Sequence, residues 1–318
     1  MNKIKLYVYP DAKPHVHDTQ EAQFYYNTVP LSAAGIEQYC DLVEPDQADY
    51  FYMGQLNNNQ SLHTHDPYQS WPYFQDNEHK HICDYEGEGG QEQGAGGATI
   101  PTWLHNSIIT LNGPLTSYTT KIKRLFTRPT FSHLLMDIIK NQNDTFKFPS
   151  IKSIGFKGYL NHSIRQIMAN AYSHHEPFNT DISFNNKWEG PSETGSIIQQ
   201  QYIETMLRHP ISLCPRGSGI DSVRLLETCY YNRVPVLISD YDYCMVGDGY
   251  YDTSFCFRIC RSISTPEYLI HEMHRLYDTS LSELEDRANL ARKYFDIVIR
   301  KYFDDPTLYF LYWLQSNE

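Results

Sequence analysis

Apolar residues in this chain fall into runs of two kinds. Short unbroken runs at 4–10 (IKLYVYP), 50–54 (YFYMG), 151–157, 211–214 (ISLC) and 234–239 (VPVLIS) have the length of strands buried on both faces of a parallel sheet. KHIC, at 80–83, reads as a further short strand, and 101–112 as a strand or short helix with a turn. Other stretches place apolar residues at helical spacing: parts of 19–43, then 131–141 (FSHLLMDIIKN), 196–209 and 221–231. Toward the end, TPEYLIHEMHRLY starts with a Thr–Pro signal. The next helix has a capping box at either Ser280–Glu283 or Ser282–Glu285. Strands alternating with helices predict an α/β protein with parallel sheets.

A polar, proline-ended connector, NQNDTFKFPS, suggests where one domain stops. The expected division is residues 1–148, residues 149–285, and a C-terminal helical stretch over 286–318. At 318 residues the chain suits two domains of ordinary size.

Charge and cysteine usage narrow the classes of function. A net charge of −12 argues against nucleic acid as a partner and offers no polybasic patch for anionic lipid. No run of about 18 apolar residues could span a bilayer. The opening MNKIKLYVYP reads as entry into a strand rather than a secretory leader. Seven cysteines without a C-x-x-C pair point to reduced thiols and a cytoplasmic setting, with Cys214 and Cys229 as core fillers.

Candidate chemistry concentrates between residues 211 and 240. A strand, a Pro/Gly turn, a helix and a second strand form a βαβ unit, and its first loop carries Arg216, Gly217, Ser218, Gly219 and Ser222. Glycines let a ligand approach the backbone, a helix start offers free N–H groups, and arginines fork onto phosphate. Arg224 and Glu227 share one helix face about 4.5 Å apart in rise, an arrangement suited to a diphosphate followed by a ribose. The same glycine pattern also occurs as plain strand-to-helix punctuation. Arg165 follows the turn at Gly158 in the same way and is a second phosphate candidate.

The string resembles the signature of exostosin-type glycosyltransferases: CPRG at 214–217, S-x-R-x-x-E at 222–227, and PVLISD at 235–240. It departs from that family at Asn232-Arg233, where the family usually has Gly-Cys before the last strand. The opening YVY strand, the P-x-x-A-D-x-F-Y pattern ahead of Gly54-Gln55, and Pro72-Tyr73-Phe74 with Lys80-His81-Ile82 resemble the family's amino-terminal half more loosely. The resemblance implies a GT-B fold, two Rossmann-like domains facing a central cleft, with the final helices crossing back onto the first. It also implies an inverting hexosyl or pentosyl transfer from a nucleotide-diphosphate sugar, a UDP-sugar above all, to an oligosaccharide or glycan hydroxyl. No obligatory metal is expected, since arginines and a helix start can carry the leaving group's charge.

Such a displacement needs a general base. Glu86 is the first choice and Asp84 the second, both close to the end of the KHIC strand, with Glu88 in the mobile run behind and Asp66 as an outsider. A metal-dependent transferase using Asp240 and Asp242, a site among His63, His65, His79 and His81, and a non-catalytic sugar-nucleotide or glycan binder are the alternatives.

Overall fold

The computed structural model describes residues 3–12, 31–57, 67, 71–88, 100–112, 122–129, 132–141, 145–174, 180–185, 193–217, 222–240, 245–247, 251–260 and 266–317. The chain forms two compact units: Met1–Thr130 with Tyr243–Val246 and Arg300–Glu318, and Phe131–Asp242 with Gly247–Ile299.

Unit 1 starts with β1 (Ile4–Val8), α1 (Ala33–Tyr39), β2 (Cys40–Leu42), β3 (Tyr50–Asn57), β4 (His81–Glu88), β5 (Ile108–Asn112) and β6 (Arg124–Arg128). Unit 2 contains α2 (His133–Asn141), β7 (Ile154–Tyr159), α3 (Ser163–His174), β8 (Thr180–Asn185), α4 (Glu193–Arg208), β9 (Ile211–Pro215), α5 (Val223–Tyr230), β10 (Val234–Ser239), β11 (Phe257–Cys260), α6 (Pro266–Asp278) and α7 (Leu281–Tyr294). A π-helical turn, Phe295–Ile299, leads to α8 (Arg300–Asp304) and α9 (Pro306–Ser316), which belong to unit 1.

All sheet pairings are parallel. Sheet 1 runs β2-β1-β3-β4-β5-β6 and sheet 2 runs β11-β10-β9-β7-β8. In each, the order reverses beside the first strand, giving the Rossmann-like, doubly wound arrangement that binds ligands at the carboxyl ends on either side of the reversal. In sheet 2 that point lies between β7 and β9. These strands pair only at Ile154↔Ile211 and Gly155↔Ser212, whereas β7 stays paired with β8 from Ile154 to Tyr159. The carboxyl halves of β7 and β9 therefore share no ladder pairs.

Local chemistry explains most boundaries. Strands β9 and β10 are buried at every residue, so they are apolar without alternation. Ser280 settles the choice of capping box: its Oγ accepts from the Glu283 N–H at 3.1 Å. Asp305 caps α9 ahead of Pro306. Asn232 takes the left-handed conformation, φ 57°, just past the end of α5, where glycine is the usual residue and asparagine is tolerated. Its neighbour Arg233 is buried and donates to the carbonyls of Met206 (3.1 Å) and Leu207 (2.5 Å) in the last turn of α4. The departure from the Gly-Cys pair thus adds a cation that caps a second helix.

The boundary between the units comes after Thr130 rather than near 148. Ser132 hydrogen-bonds Glu227, Asn232 Nδ2 donates to the Phe146 carbonyl at 3.3 Å, and the Phe146 ring lies 4.9 Å from that of Tyr231. These contacts hold Ser132 and Phe146 to α5 and its C-terminal end. After the short stretch Tyr243–Val246, the chain returns to unit 1 from Arg300, where Phe126 of β6 meets Phe310 and Trp313 of α9 at 5.1 and 5.0 Å. Gly54 is not at a strand end. With φ at 80°, it forms the irregularity where the β3–β4 register shifts between Tyr52 and Gln55.

Candidate functional site

The carboxyl ends of β7 and β9 gather three arginines. Strands that part leave carbonyls without ladder partners, and a buried carbonyl needs a donor. Arg165, on the first turn of α3, supplies several. Its Nε donates to the Arg216 carbonyl (3.2 Å), Nη1 to Tyr159 (3.0 Å) and Nη2 to Pro215 (3.4 Å), joining the ends of β7 and β9. Burial, and secondly the charge of Arg224, lower its pKa to about 10, so it stays charged at neutral pH.

Arg224 comes from the first turn of α5. Its guanidinium is sandwiched between rings, 4.3 Å from the Phe156 centroid and 4.4 Å from that of Tyr202. Its Nη2 donates to the Lys157 carbonyl. The aromatic faces attract the cation and hold it flat. Gly158 makes room: a Cβ there would lie 2.7 Å from Phe156 Cζ and 3.2 Å from Arg224 Nη2.

Arg216, at the end of β9, is 3% exposed and clasps Asp240 with Nε and Nη2, the latter at 3.0 Å. The Asp240 side chain is 36% exposed, so the cation is built into the fold and the carboxylate faces outward. Each Asp240 oxygen accepts one bond from Arg216, and Asp242 lies outside the described residues. Glu227 sits one turn along α5 from Arg224, 3% exposed, accepting from Ser132 Oγ and the Tyr202 hydroxyl. Burial raises its pKa, with the two hydroxyls and Arg224 opposing. A ribose reaches Glu227 only by displacing those hydroxyls.

His162 precedes α3. Its Nδ1 accepts from the Ile164 N–H at 3.2 Å, which puts the proton of the neutral ring on Nε2. Burial and then Arg216 lower its pKa, while Asp240 opposes them. Ser222 caps α5 through its backbone conformation, without a side-chain cap bond. Ser218 and Gly219 lie outside the described residues.

The residues proposed for base catalysis are on β4. Asp84 is not at a strand tip: it lies mid-strand, 1% exposed, and accepts from Tyr52 OH (2.7 Å) and Thr110 Oγ1. Sealed there, it cannot reach a sugar hydroxyl, so that expectation is corrected. Glu86 is on the same strand with its backbone opposite Asn57, and its side chain is outside the described ones. The Glu88 side chain, and all of Asp66, His63 and His65, also lie outside the described residues. His81 is buried among rings, accepting from Tyr9 OH (2.9 Å) at Nε2 and donating from Nδ1 to the Asn77 carbonyl (2.7 Å). Burial lowers its pKa to about 4. Among the described residues no three His, Cys, Asp or Glu side chains come together as a metal site. Cys214 and Cys229 are fully buried. No helix among the described residues is long and apolar enough to cross a membrane.

Phe156, Tyr202 and Ser132 are parts of the site that sequence reasoning missed. Phe156 sits two residues before Gly158, a weak local signal. Tyr202 and Ser132 are 25 and 95 residues from the carboxylate they serve, with no local signal at all.

Three guanidiniums thus converge at the carboxyl ends of two strands, against one outward carboxylate and one buried one. In a chain of net charge −12 this local excess of positive charge suits an anion. No protein-family model matches the chain, and no curated protein does. Among solved structures the chain is similar to TarM, with a TM-score of 0.42 and 10% identity over 84% of this chain. It spans 55% of TarM's length. It is also similar to a putative UDP-N-acetylglucosamine 2-epimerase from Listeria monocytogenes, with a TM-score of 0.37 and 9% identity over 95% of this chain and 97% of that one.

Proposed function

We propose that this protein is an exostosin-like glycosyltransferase of the GT-B type, which moves a sugar from a nucleoside diphosphate, UDP above all, to a glycan hydroxyl. One observation carries the reading: Arg165, Arg216 and Arg224 meet at the carboxyl ends of β7 and β9, where the sheet order reverses and a diphosphate would lie. Arg216 and Arg224 lie in the stretches that resemble the family signature.

In the proposed reaction the acceptor oxygen attacks the anomeric carbon as the bond to the β-phosphate oxygen breaks. The diphosphate leaves with the bonding electrons, and the acceptor's proton passes to a base. Fixed guanidiniums stabilise the departing charge without reorganising. Glu86 is the proposed base. Arginines in this role make a metal ion dispensable.

The test is a screen of nucleotide sugars for turnover, with and without chelator. The reading expects transfer, or donor hydrolysis, from one UDP-sugar at a rate that chelator leaves unchanged. Full loss in chelator, restored by manganese, would move the charge-stabilising role to a metal. Binding of UDP-sugars with no turnover toward any acceptor would leave a sugar-nucleotide-binding protein.

A further inference from the structure

Sequence spacing puts Glu227 where a ribose could meet it, one turn along α5 from Arg224, yet protein hydroxyls hold both of its oxygens. Ser132 Oγ donates to Oε1 and the Tyr202 hydroxyl to Oε2, and the residue is 3% exposed. Ser132 Oγ also accepts from the Leu135 N–H at 3.0 Å, so it caps α2 at the same time. Burial raises the Tyr202 pKa, with Arg224 opposing and Glu227 adding, so the phenol keeps its proton and remains a donor. A ribose diol on Glu227 would leave both hydroxyl protons without their acceptor, and stranded hydrogen-bonding groups are costly in an interior.

Tyr202 joins that carboxylate to the cation beside it. Its ring lies 4.4 Å from the Arg224 guanidinium, with Phe156 at 4.3 Å as the second ring of the sandwich. Arg224 Nη2 in turn donates to the Lys157 carbonyl on β7. One line of contacts therefore runs from the cap of α2 through Glu227 and Tyr202 to Arg224, all within unit 2. Two rings and a carbonyl orient Arg224, and one of those rings is anchored at its tip by Glu227.

We infer that Glu227 is a positioning residue, which anchors Tyr202 and through its ring Arg224, and that it leaves the ribose hydroxyls of the ligand unread. This rests on the diphosphate-binding reading above and deepens it: the site selects its ligand by the diphosphate, and a 2′,3′-diol adds nothing at Glu227. Spacing alone suggests the opposite assignment, because it shows Arg224 and Glu227 on one helix face but not the hydroxyls that arrive from the start of α2 and from α4.

The test is calorimetry of inorganic pyrophosphate, UDP and 2′,3′-dideoxyuridine diphosphate with the full chain, as wild type, Glu227→Ala, Tyr202→Phe and Tyr202→Leu, below the unfolding temperature of each. Wild type should bind UDP and its dideoxy analogue within about twofold of each other. Glu227→Ala removes a carboxylate from near Arg224, which by itself would tighten an anion. Lost positioning should outweigh that and weaken all three ligands alike, about tenfold. Tyr202→Leu should weaken pyrophosphate about 30-fold, and Tyr202→Phe, which keeps a ring against the guanidinium, only about threefold. Pyrophosphate bound by Glu227→Ala within twofold of wild type, or more tightly, would overturn the inference and leave the diphosphate reading intact. If Glu227→Ala does not fold, equal pyrophosphate affinity in Tyr202→Leu and wild type overturns it instead. A preference of wild type for UDP over the analogue of tenfold or more would overturn it as well. A wild-type protein that binds neither pyrophosphate nor UDP would overturn both readings.

Discussion

Two buried polar clusters occupy similar parallel sheets and differ in where along the strand they lie. In unit 1, Asp84 sits halfway along β4, and the hydroxyls of Tyr52 and Thr110, on the strands to either side, close over it. Nearby Arg128 donates to the Tyr85 carbonyl at 3.0 Å, and its charge acts on Tyr52 and Tyr302. In unit 2 the arginines sit past the point where β7 and β9 stop pairing, and Arg216 holds an outward carboxylate. A polar group in mid-strand has its partners supplied by neighbouring strands and serves stability. One at parting strand ends draws its partners from loops and helix starts, the part of a doubly wound sheet where ligands bind.

The comparison breaks if removing Asp84 proves harmless. Asp84→Ala leaves two buried hydroxyls without their acceptor, at a cost of about 3 kcal/mol in chemical denaturation. Any folded Asp84→Ala protein should still bind UDP as wild type does, because the clusters lie in separate units.

Acid should show a similar division. The pKa of His81 is lowered to about 4 in the fold, so below the ordinary histidine value the unfolded chain takes up a proton that the folded one refuses. Stability is full above pH about 6.5, falls by about 1.4 kcal/mol per pH unit as pH drops toward 4, and then levels; the total is about 3 kcal/mol. His162 and His209 are shifted in the same direction, also mainly by burial, and add to the slope. His81→Gln should flatten the stability profile between pH 4 and 6.5; an unchanged slope would remove His81 from the account.

A smaller effect sharpens the other side. Asp240 is the outward partner of a built-in cation, and a ligand phosphate reaching Arg216 competes with it. Asp240→Asn should tighten UDP binding about fivefold, near 1 kcal/mol, with little change in unfolding temperature. Weaker binding would mean that Asp240 positions Arg216 for the ligand instead.

How much of this the sequence disclosed follows the same line between interior and edge. The strands legible as apolar runs, β1, β3, β4, β7, β9 and β10, are all interior to their sheets. The four unread ones, β2, β6, β8 and β11, are the four sheet edges. Edge strands have solvent on one side, so they mix in polar residues: Asp41 in β2, Arg124 and Thr127 in β6, Thr180 and Asp181 in β8, Arg258 in β11. Helices are easier, because α2, α4, α6 and α7 keep an apolar face over two to four turns. At the site, Arg165, Arg216 and Arg224 were visible because each follows a glycine turn or strand end. Their aromatic and hydroxyl partners come from distant segments, and only folding brings Tyr202 and Ser132 to Glu227. The misplacement of Asp84 has a related cause. A strand appears to end at the first carboxylate, but here β4 continues to Glu88 because neighbouring hydroxyls make that carboxylate acceptable inside.

The central claim is that the arginines at the carboxyl ends of β7 and β9 bind the ligand through its phosphates. Calorimetric titration of the full chain with UDP and with uridine, at low and at raised salt, tests it most directly. The account predicts that UDP binds at least about 100-fold more tightly than uridine, with the difference shrinking as salt rises. Equal affinity for UDP and uridine, or a difference indifferent to salt, would contradict it.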